Sequence, residues 1–251
     1  MSREQVNLLA SSNNKINGCI RVPGDKSISH RAIILSSIAE GKTQINQYLD
    51  SADINATIDV CRRIDAEIVK NKESLIITGN KLERIQKEDI ELNFGNSGTS
   101  MRLMMGVLSA QIFSSILSGD ESLSQRPMNR VSKPLINMNA DIKTSNGKPP
   151  IFISPVNEIK NVDHKIHIAS AQIKSAVMLA GLYGRDPFTI TTPKSRDHTE
   201  IMLNEFGCNI TLESDSINVI PSKLTSPKTI DIPGDISSAA FFIVGSIMSK
   251  N

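Results

Sequence analysis

Hydrophobic and polar positions follow the same order three times along this chain. Short stretches in which every second residue is apolar predict half-buried β-strands, and longer stretches with apolar residues every three or four positions predict helices. Each copy has the order strand, helix, strand, helix, strand, strand, at about residues 18–79, 90–155 and 164–222. The pattern therefore predicts an α/β (α+β) domain with pseudo-threefold symmetry, built from three β-α-β-α-β-β units.

The first strand and first helix of each unit stand at matching places. The first strands are predicted at 19–22, 91–94 and 165–168, and the first helices at 29–39, 99–110 and 171–182. A fourth copy begins at 229–232 and enters an apolar helix at Ser237 or Ser238, which needs a partner surface. We expect a complete domain at 15–226 and, at 227–251, the truncated start of a second similar domain. A C-terminal helix docked on the three repeats is the alternative.

A basic, hydroxylated segment opens the first predicted helix. A turn that starts at Pro23 delivers Lys26 and Ser27 to the helix start, and Arg31 follows a little over one turn later. Free N–H groups at a helix N-terminus and the helix dipole favour an anion there, and arginine can bind it bidentately. The segment predicts a phosphate or carboxylate site, with an ordinary capped helix bearing solvated cations as the alternative.

The equivalent loops of the other two units have a similar composition. Residues 95–100 and 169–172 are rich in glycine or small hydroxylated side chains and also open helices. Arg126 and Arg196 follow the second strands of their units, where the repeat arranges a rim around the same cleft. Three converging helix N-termini predict a ligand with more than one anionic group, although each loop alone is explained by N-capping.

Composition narrows the function classes. The net charge of +2 is too small to indicate a nucleic acid or an anionic membrane as partner. No apolar run approaches the roughly 20 residues of a membrane span, and residues 1–12 lack a signal-peptide pattern. The three cysteines are far apart and show neither metal-ligand nor disulfide spacing, so we expect a cytoplasmic protein without a metal or other cofactor.

Six segments, in order along residues 15 to 245, resemble the 5-enolpyruvylshikimate-3-phosphate synthase (EPSP synthase) family, specifically its N-terminal portion. They are Pro-Gly-Asp-Lys-Ser-Ile-Ser-His-Arg from Pro23, Gly-Asn-Ser-Gly-Thr from Gly95, Gly-Asp-x-Ser-Leu-x-x-Arg-Pro-Met from Gly119, Ser-Ala-Gln-Ile-Lys-Ser-Ala from Ser170, Ser-Arg-Asp-His-Thr-Glu from Ser195, and Asp-Ile-Pro-Gly-Asp-Ile-Ser-Ser-Ala-Ala-Phe from Asp231. Together these motifs are very specific.

The resemblance implies a carboxyvinyl transferase of the shikimate pathway, which leads to chorismate and the aromatic amino acids. Such an enzyme moves the enolpyruvyl group of phosphoenolpyruvate (PEP) to the 5-hydroxyl of shikimate 3-phosphate and releases phosphate. The residues implied for shikimate 3-phosphate are Lys26, Ser27, Arg31, Ser170, Ala171, Gln172 and Arg196. The residues implied for PEP are Lys26, Asn96, Gly98, Thr99, Arg126 and Gln172. Lys26 would touch both substrates and act electrostatically.

The resemblance also implies catalytic groups that lie outside these six segments. In the family a second domain brings the catalytic acids and bases, so we expect residues 1–14 to belong with 227–251 to that domain and this chain alone to be inactive. The whole enzyme would be a monomer and the target of glyphosate. Asp65 and Asn139 replace glycines that are usual in the family, and we expect left-handed backbone with modest strain there.

Two other functions compete with this one. The related transferase that acts on UDP-N-acetylglucosamine uses a cysteine in the loop that corresponds to 119–130, and this loop contains none. The chain could instead be a non-catalytic shikimate-3-phosphate-binding fragment or one half of a split enzyme. The sequence of the chain leaves this second alternative open.

Overall fold

The computed structural model describes residues 18–85 and 87–249, so the expectation for residues 1–14 lies outside the described part. The strands described are β1 (Lys42–Asn46), β2 (Glu67–Lys70), β3 (Ser74–Thr78), β4 (Ile90–Asn93), β5 (Ser115–Ser118), β6 (Asp141–Ser145), β7 (Lys148–Ser154), β8 (His164–Lys165), β9 (Phe188–Thr191), β10 (Asn209–Glu213), β11 (Ser216–Ile220) and β12 (Thr229–Asp231). The helices are α1 (Lys26–Ile38), α2 (Ala52–Arg63), α3 (Gly98–Leu108), α4 (Glu121–Ser124), α5 (Asn129–Asn137), α6 (Ala171–Gly181), α7 (His198–Glu205) and α8 (Ile236–Met248).

Three four-stranded sheets with the same topology confirm the predicted repeat. Their strand orders are β12-β1-β3-β2, β4-β5-β7-β6 and β8-β9-β11-β10. In each sheet the first two strands are parallel, joined in the second and third sheets through a helix, and the other two pair antiparallel. Because the order is identical, the loop before the first helix of each repeat reaches an equivalent position.

The first sheet corrects one predicted strand. Residues 19–22 form no strand, and the place beside β1 is taken by β12, with Gln44 opposite Thr229 and Asn46 opposite Asp231. The segment that we assigned to a fourth copy therefore completes the sheet of the first. Alternating polarity predicts that a stretch forms a half-buried strand, but it does not predict which sheet that strand joins.

The third repeat differs from its prediction in a smaller way. Its first strand is only His164–Lys165, paired with β9, although the alternation extends to Ile168. Beyond it the ladder continues by one bond, from the Ile166 N–H to the Thr191 carbonyl at 2.8 Å, and His167 is exposed. In the second repeat a short helix, α4, lies in the loop that follows β5.

The first helices of the three repeats form the centre of the molecule. Helix α1 is buried from Ser29 to Ile38, and α3 and α6 are buried along most of their length. Helix α3 packs against both α1 and α6. The three sheets turn one apolar face toward this centre, as the alternate burial in β1 and β3 shows. Helices surrounded by protein explain why the sequence is apolar around their full circumference.

Equivalent turns in the three repeats have left-handed backbone. The φ angles are +68° at Asp65, +73° at Asn139 and +81° at Gly207. Each residue ends the second helix of its unit and leads into the next strand. The left-handed conformation predicted for Asp65 and Asn139 is confirmed. Both side chains also bond locally, Asp65 with Lys87 and Asn139 with the Glu158 carbonyl.

The contact between α3 and α6 yields a prediction about Gly106. A β-carbon on Gly106 would overlap the carbonyl oxygen of Ala176. Glycine to alanine inside a helix normally stabilises by about 0.5–1 kcal/mol. Here we expect Gly106→Ala to lower the free energy of unfolding by about 1–3 kcal/mol, as overpacked cores do.

Urea denaturation of the 251-residue chain would measure this change. Asp59→Ala on the exposed side of α2 is the control, with an expected change of about 0.5 kcal/mol or less. A stabilised Gly106→Ala variant would contradict the close approach of α3 and α6.

Candidate functional site

The three central helices begin with side-chain caps of the predicted kind. Asp25 accepts from the Ile28 N–H at 2.8 Å, Ser97 from the Ser100 N–H at 3.3 Å, and Ser170 from the Ile173 N–H at 3.4 Å. Each cap satisfies one of the free N–H groups and leaves others of the first turn available. The N-termini of α1, α3 and α6 therefore keep their capacity to bind an anion.

Side chains near the starts of α3 and α6 connect these two helices directly. Gln172 donates from Nε2 to Thr99 Oγ1 at 2.9 Å and accepts at Oε1 from Arg102 Nη1 at 2.9 Å. Arg102 also donates to the Pro127 carbonyl at 3.1 Å. The amide of Gln172 is therefore held in one orientation, at the place where the predicted sites for the two anionic substrates meet.

Arg31 connects α1 with α6 and α7. It is 3% exposed, and its Nε donates to Thr199 Oγ1 at 2.6 Å. Nη2 donates to Ser175 Oγ and Nη1 to the Ser27 carbonyl, both at 3.0 Å. A guanidinium has five N–H donors, so one hydrogen on each terminal nitrogen is left. These two donors form the fork that binds a phosphate or carboxylate bidentately.

Arg196 lies beside the same helix start. Its Nη1 donates to Ser27 Oγ at 3.3 Å, so the loop after β9 reaches the first turn of α1. Arg31, Arg196 and Ser27, three of the predicted shikimate-3-phosphate residues, therefore lie together. Ser170 and Ala171 begin α6, and Ser170 serves as its N-cap.

Two guanidinium groups lie at the start of α3. A β-carbon on Gly98 would be 3.0 Å from Arg126 Nη1 and 3.3 Å from Arg102 Nη1. Asn96 accepts from Arg126 and donates to Asp120 at 2.6 Å. Burial lowers the pKa of Arg102, and the positive charge of Arg126 lowers it further. Two cations beside a glycine at a helix N-terminus are suited to bind a second anion.

Lys26 differs from the arginines because it already has a partner. Its ammonium forms an ion pair with Asp53 of α2, and the Lys26 side chain is 47% exposed. The Asp53 side chain is only 19% exposed, so the pair is half-buried. Lys26 is therefore turned toward α2, and an anionic ligand has to compete with Asp53 for its ammonium.

His30 joins the first repeat to the second through a chain of hydrogen bonds. Thr57 donates to the Asp53 carbonyl at 3.1 Å, so its hydroxyl oxygen accepts from His30 Nδ1 at 2.8 Å. The Thr57 bond therefore places the ring proton on Nδ1, and burial keeps the ring neutral. The unprotonated Nε2 then accepts from Ser97 Oγ at 3.4 Å. Burial, with Lys26 second, lowers the pKa of His30 to about 3.

Sequence reasoning assigned no role to several residues of this site. Arg102 is one helical turn after Gly98, and that i, i+4 spacing was the available signal. Ser175 and Thr199 fall within recognised motifs, but they act only by holding Arg31, which depends on three elements distant in sequence. Spacing along one segment does not reveal such a contact.

Across 18–85 and 87–249, no group of three or more histidine, cysteine, aspartate or glutamate side chains is arranged to hold a metal ion. None of the helices described has the length and apolarity to cross a bilayer.

Comparison with known proteins agrees with the repeat-built fold. The family model for EPSP synthase (3-phosphoshikimate 1-carboxyvinyltransferase) matches residues 11–251. A 3-phosphoshikimate 1-carboxyvinyltransferase of Hydrogenovibrio crunogenus is 46% identical over 245 residues, which cover 94% of this chain and 55% of that protein. One of Endomicrobium trichonymphae is 43% identical, with 94% and 55% covered.

A solved structure shares the fold as well as the sequence. EPSP synthase from Acinetobacter baumannii superposes with a TM-score of 0.85 at 42% identity, over 93% of this chain and 54% of that one. The fold defines the chain as part of a class of α/β proteins built from repeated β-α-β-α-β-β units. The chain belongs to the EPSP synthase family. It spans about half the length of the relatives it matches.

The buried, neutral His30 makes stability depend on pH. Its pKa is about 3 in the folded chain against 6.5 as the reference value. As the pH falls, His30 takes up a proton in the unfolded state before it does so in the folded state. The contribution of His30 to the free energy of unfolding is therefore fully present above about pH 6.5 and is lost as the pH drops toward 3. Between pH 7.5 and 5 this single group should remove about 2 kcal/mol from the free energy of unfolding.

Urea denaturation at the two pH values, for the native chain and for His30→Gln, would measure the effect. The variant should be less stable at pH 7.5 and should lose about 2 kcal/mol less on acidification. His167→Gln, at an exposed position, is the control. Equal losses in all three proteins would show that His30 is not the responsible group.

Proposed function

We propose that this chain carries the shikimate-3-phosphate site and part of the PEP site of an enolpyruvyl transferase. The reaction joins the 5-hydroxyl of shikimate 3-phosphate to the enolpyruvyl group of PEP and releases phosphate. The observation that carries the proposal is Arg31, a buried cation held by neutral groups with two donors left over. A dianionic phosphate supplies both the charge and the acceptors that this guanidinium lacks.

The shikimate-3-phosphate site is assigned to the α1 and α6 starts. Arg31 and Arg196 offer charge, Ser27 offers a hydroxyl, and the first turn of α6 offers free N–H groups. Ser170 and Gln172 complete the predicted set, with the Ala171 backbone between them. Family membership supports this assignment, because its relatives carry the name of an enzyme that acts on 3-phosphoshikimate.

The PEP site is assigned to the start of α3. Arg126 and Arg102 flank Gly98, where the absence of a side chain leaves room beside the helix N-terminus. Asn96 orients Arg126, and Thr99 is tied through Gln172 to the other site. Lys26 lies between α1 and α2 and is available to either anion. Bringing two substrates with several negative charges together requires these cations and amide dipoles.

Proton transfer is not assigned to the residues described. The reaction proceeds by addition and elimination, which needs a general acid and a general base. His30 is unsuited to that work, because it is buried, neutral and hydrogen-bonded at both ring nitrogens. The chain therefore binds and orients the substrates in this proposal. A cytoplasmic location and a monomeric whole enzyme stay predictions.

The proposal predicts that Arg31→Ala abolishes or strongly weakens binding of shikimate 3-phosphate. Loss of two charge-assisted hydrogen bonds at about 1.5–3 kcal/mol each should raise the dissociation constant at least about a hundredfold. Isothermal titration calorimetry on the 251-residue chain measures it. Arg62→Ala, which removes an exposed arginine paired with Asp59, is the matched control and should bind like the native chain.

The same titration separates the competing functions. A native chain that folds but does not bind shikimate 3-phosphate would contradict the proposal. Binding in both variants would mean that the site lies elsewhere. Phosphate release from added PEP would contradict the expectation that this chain alone is inactive.

A further inference from the structure

A buried ion pair lies directly behind the Arg31 site. Lys174 of α6 and Glu200 of α7 pair through Nζ and Oε1, and their side chains are only 4% and 2% exposed. Lys174 precedes Ser175, and Glu200 follows Thr199; Ser175 and Thr199 hold Arg31 and also bond each other at 2.6 Å. Helices α6 and α7 are thus joined twice, by the Ser175–Thr199 hydrogen bond and by the ion pair between the neighbouring residues Lys174 and Glu200.

Glu200 is the acidic group that acts most strongly on Arg31. Burial lowers the pKa of Arg31 to about 10, and the carboxylate of Glu200 gives the largest opposing charge effect. One oxygen of that carboxylate faces Lys174. The other, Oε2, is buried and has no hydrogen-bond partner among the residues that the structure describes.

Arg31 nevertheless bonds to neutral groups alone within the described chain. Its acceptors are the hydroxyls of Thr199 and Ser175 and one backbone carbonyl. A buried carboxylate deprived of its cation is strongly unfavourable, so it takes up a proton or pairs with another cation. The cation on which the Glu200 charge already acts is Arg31, and Arg31 has two donors left.

We propose that Lys174 is a positioning residue for the shikimate-3-phosphate site: it holds the Glu200 carboxylate away from Arg31 and so keeps the guanidinium fork open for the phosphate of the substrate. The inference rests on the proposed function of Arg31. In this inference Lys174 does not contact the ligand. It acts by keeping the Glu200 carboxylate from occupying the phosphate site at Arg31.

Comparison of the single variants with the double variant tests this idea. In Lys174→Met the freed Glu200 should occupy Arg31, and the dissociation constant for shikimate 3-phosphate, measured by calorimetry, should rise at least about tenfold. Glu200→Gln removes the competing anion and should bind at least as tightly as the native chain. The double variant Lys174→Met/Glu200→Gln should recover binding to within about threefold of native, since paired buried ions are replaceable together.

A second readout does not depend on the ligand. The Nε–H proton of Arg31, assigned by its loss in Arg31→Lys, is followed by ¹H–¹⁵N NMR in the ligand-free chain. We expect a shifted signal in Lys174→Met and a signal near the native position in the double variant. If the native chain fails to bind shikimate 3-phosphate, the proposed function falls, while this signal still decides whether Lys174 keeps Glu200 from Arg31.

The control and the overturning results are equally specific. Lys70→Met breaks an exposed pair with Asp50 and should change neither affinity nor the Arg31 signal. A cavity of about 370 Å³ borders Lys174 and Glu200, so water could solvate the freed carboxylate instead. Native affinity and an unmoved Arg31 signal in Lys174→Met would then overturn the inference. So would a double variant as defective as the single one, which would indicate a purely structural pair.

Discussion

Burial of a guanidinium cation between three helices is the constraint on which this molecule depends. Arg31 is 3% exposed, yet every acceptor it meets in the described chain is neutral. A buried charge is costly unless it is hydrogen-bonded, so the hydroxyls and the carbonyl that bond three of the five Arg31 donors must be placed accurately. Thr199 and Ser175 achieve this only if α1, α6 and α7 keep one relative position. The site and the packing of the three repeats are therefore the same set of contacts.

Two other polar contacts between repeats also fix the relative position of the helices. His30 carries the linkage from α1 to the cap of α3, and Gln172 carries it from α3 to α6. Both side chains lie between helices whose buried residues are mostly apolar. Apolar contacts alone tolerate sliding, whereas a directional network specifies one arrangement of the helix starts. The anion sites at those starts depend on this register.

The repeat was predictable because hydrophobic periodicity is a local property of the chain. The helix starts, the caps and the left-handed turn residues Asp65 and Asn139 all follow from short segments. The partner of β12 was not predictable, because pairing is decided by tertiary position rather than by alternation. The roles of Ser175, Thr199 and Arg102 were missed for the same reason. A motif shows which residue types are present. Their hydrogen-bond partners come from distant segments and are known only from the folded structure.

The distribution of charge explains why neutral groups hold the cations of the site. Arg31, Arg102 and Arg126 form no ion pair with a carboxylate in the part of the chain that the structure describes. A carboxylate would fix each guanidinium more strongly than a hydroxyl, but it would also occupy the donors that a ligand needs. Hydroxyls, amides and carbonyls orient the cations without neutralising them. Two acidic side chains close to the site, in turn, have their own lysines, Asp53 with Lys26 and Glu200 with Lys174, while Asp25 and Asp120 accept hydrogen bonds from backbone N–H groups. Selectivity for anions therefore requires the internal anions to be paired as much as it requires the cations to be free.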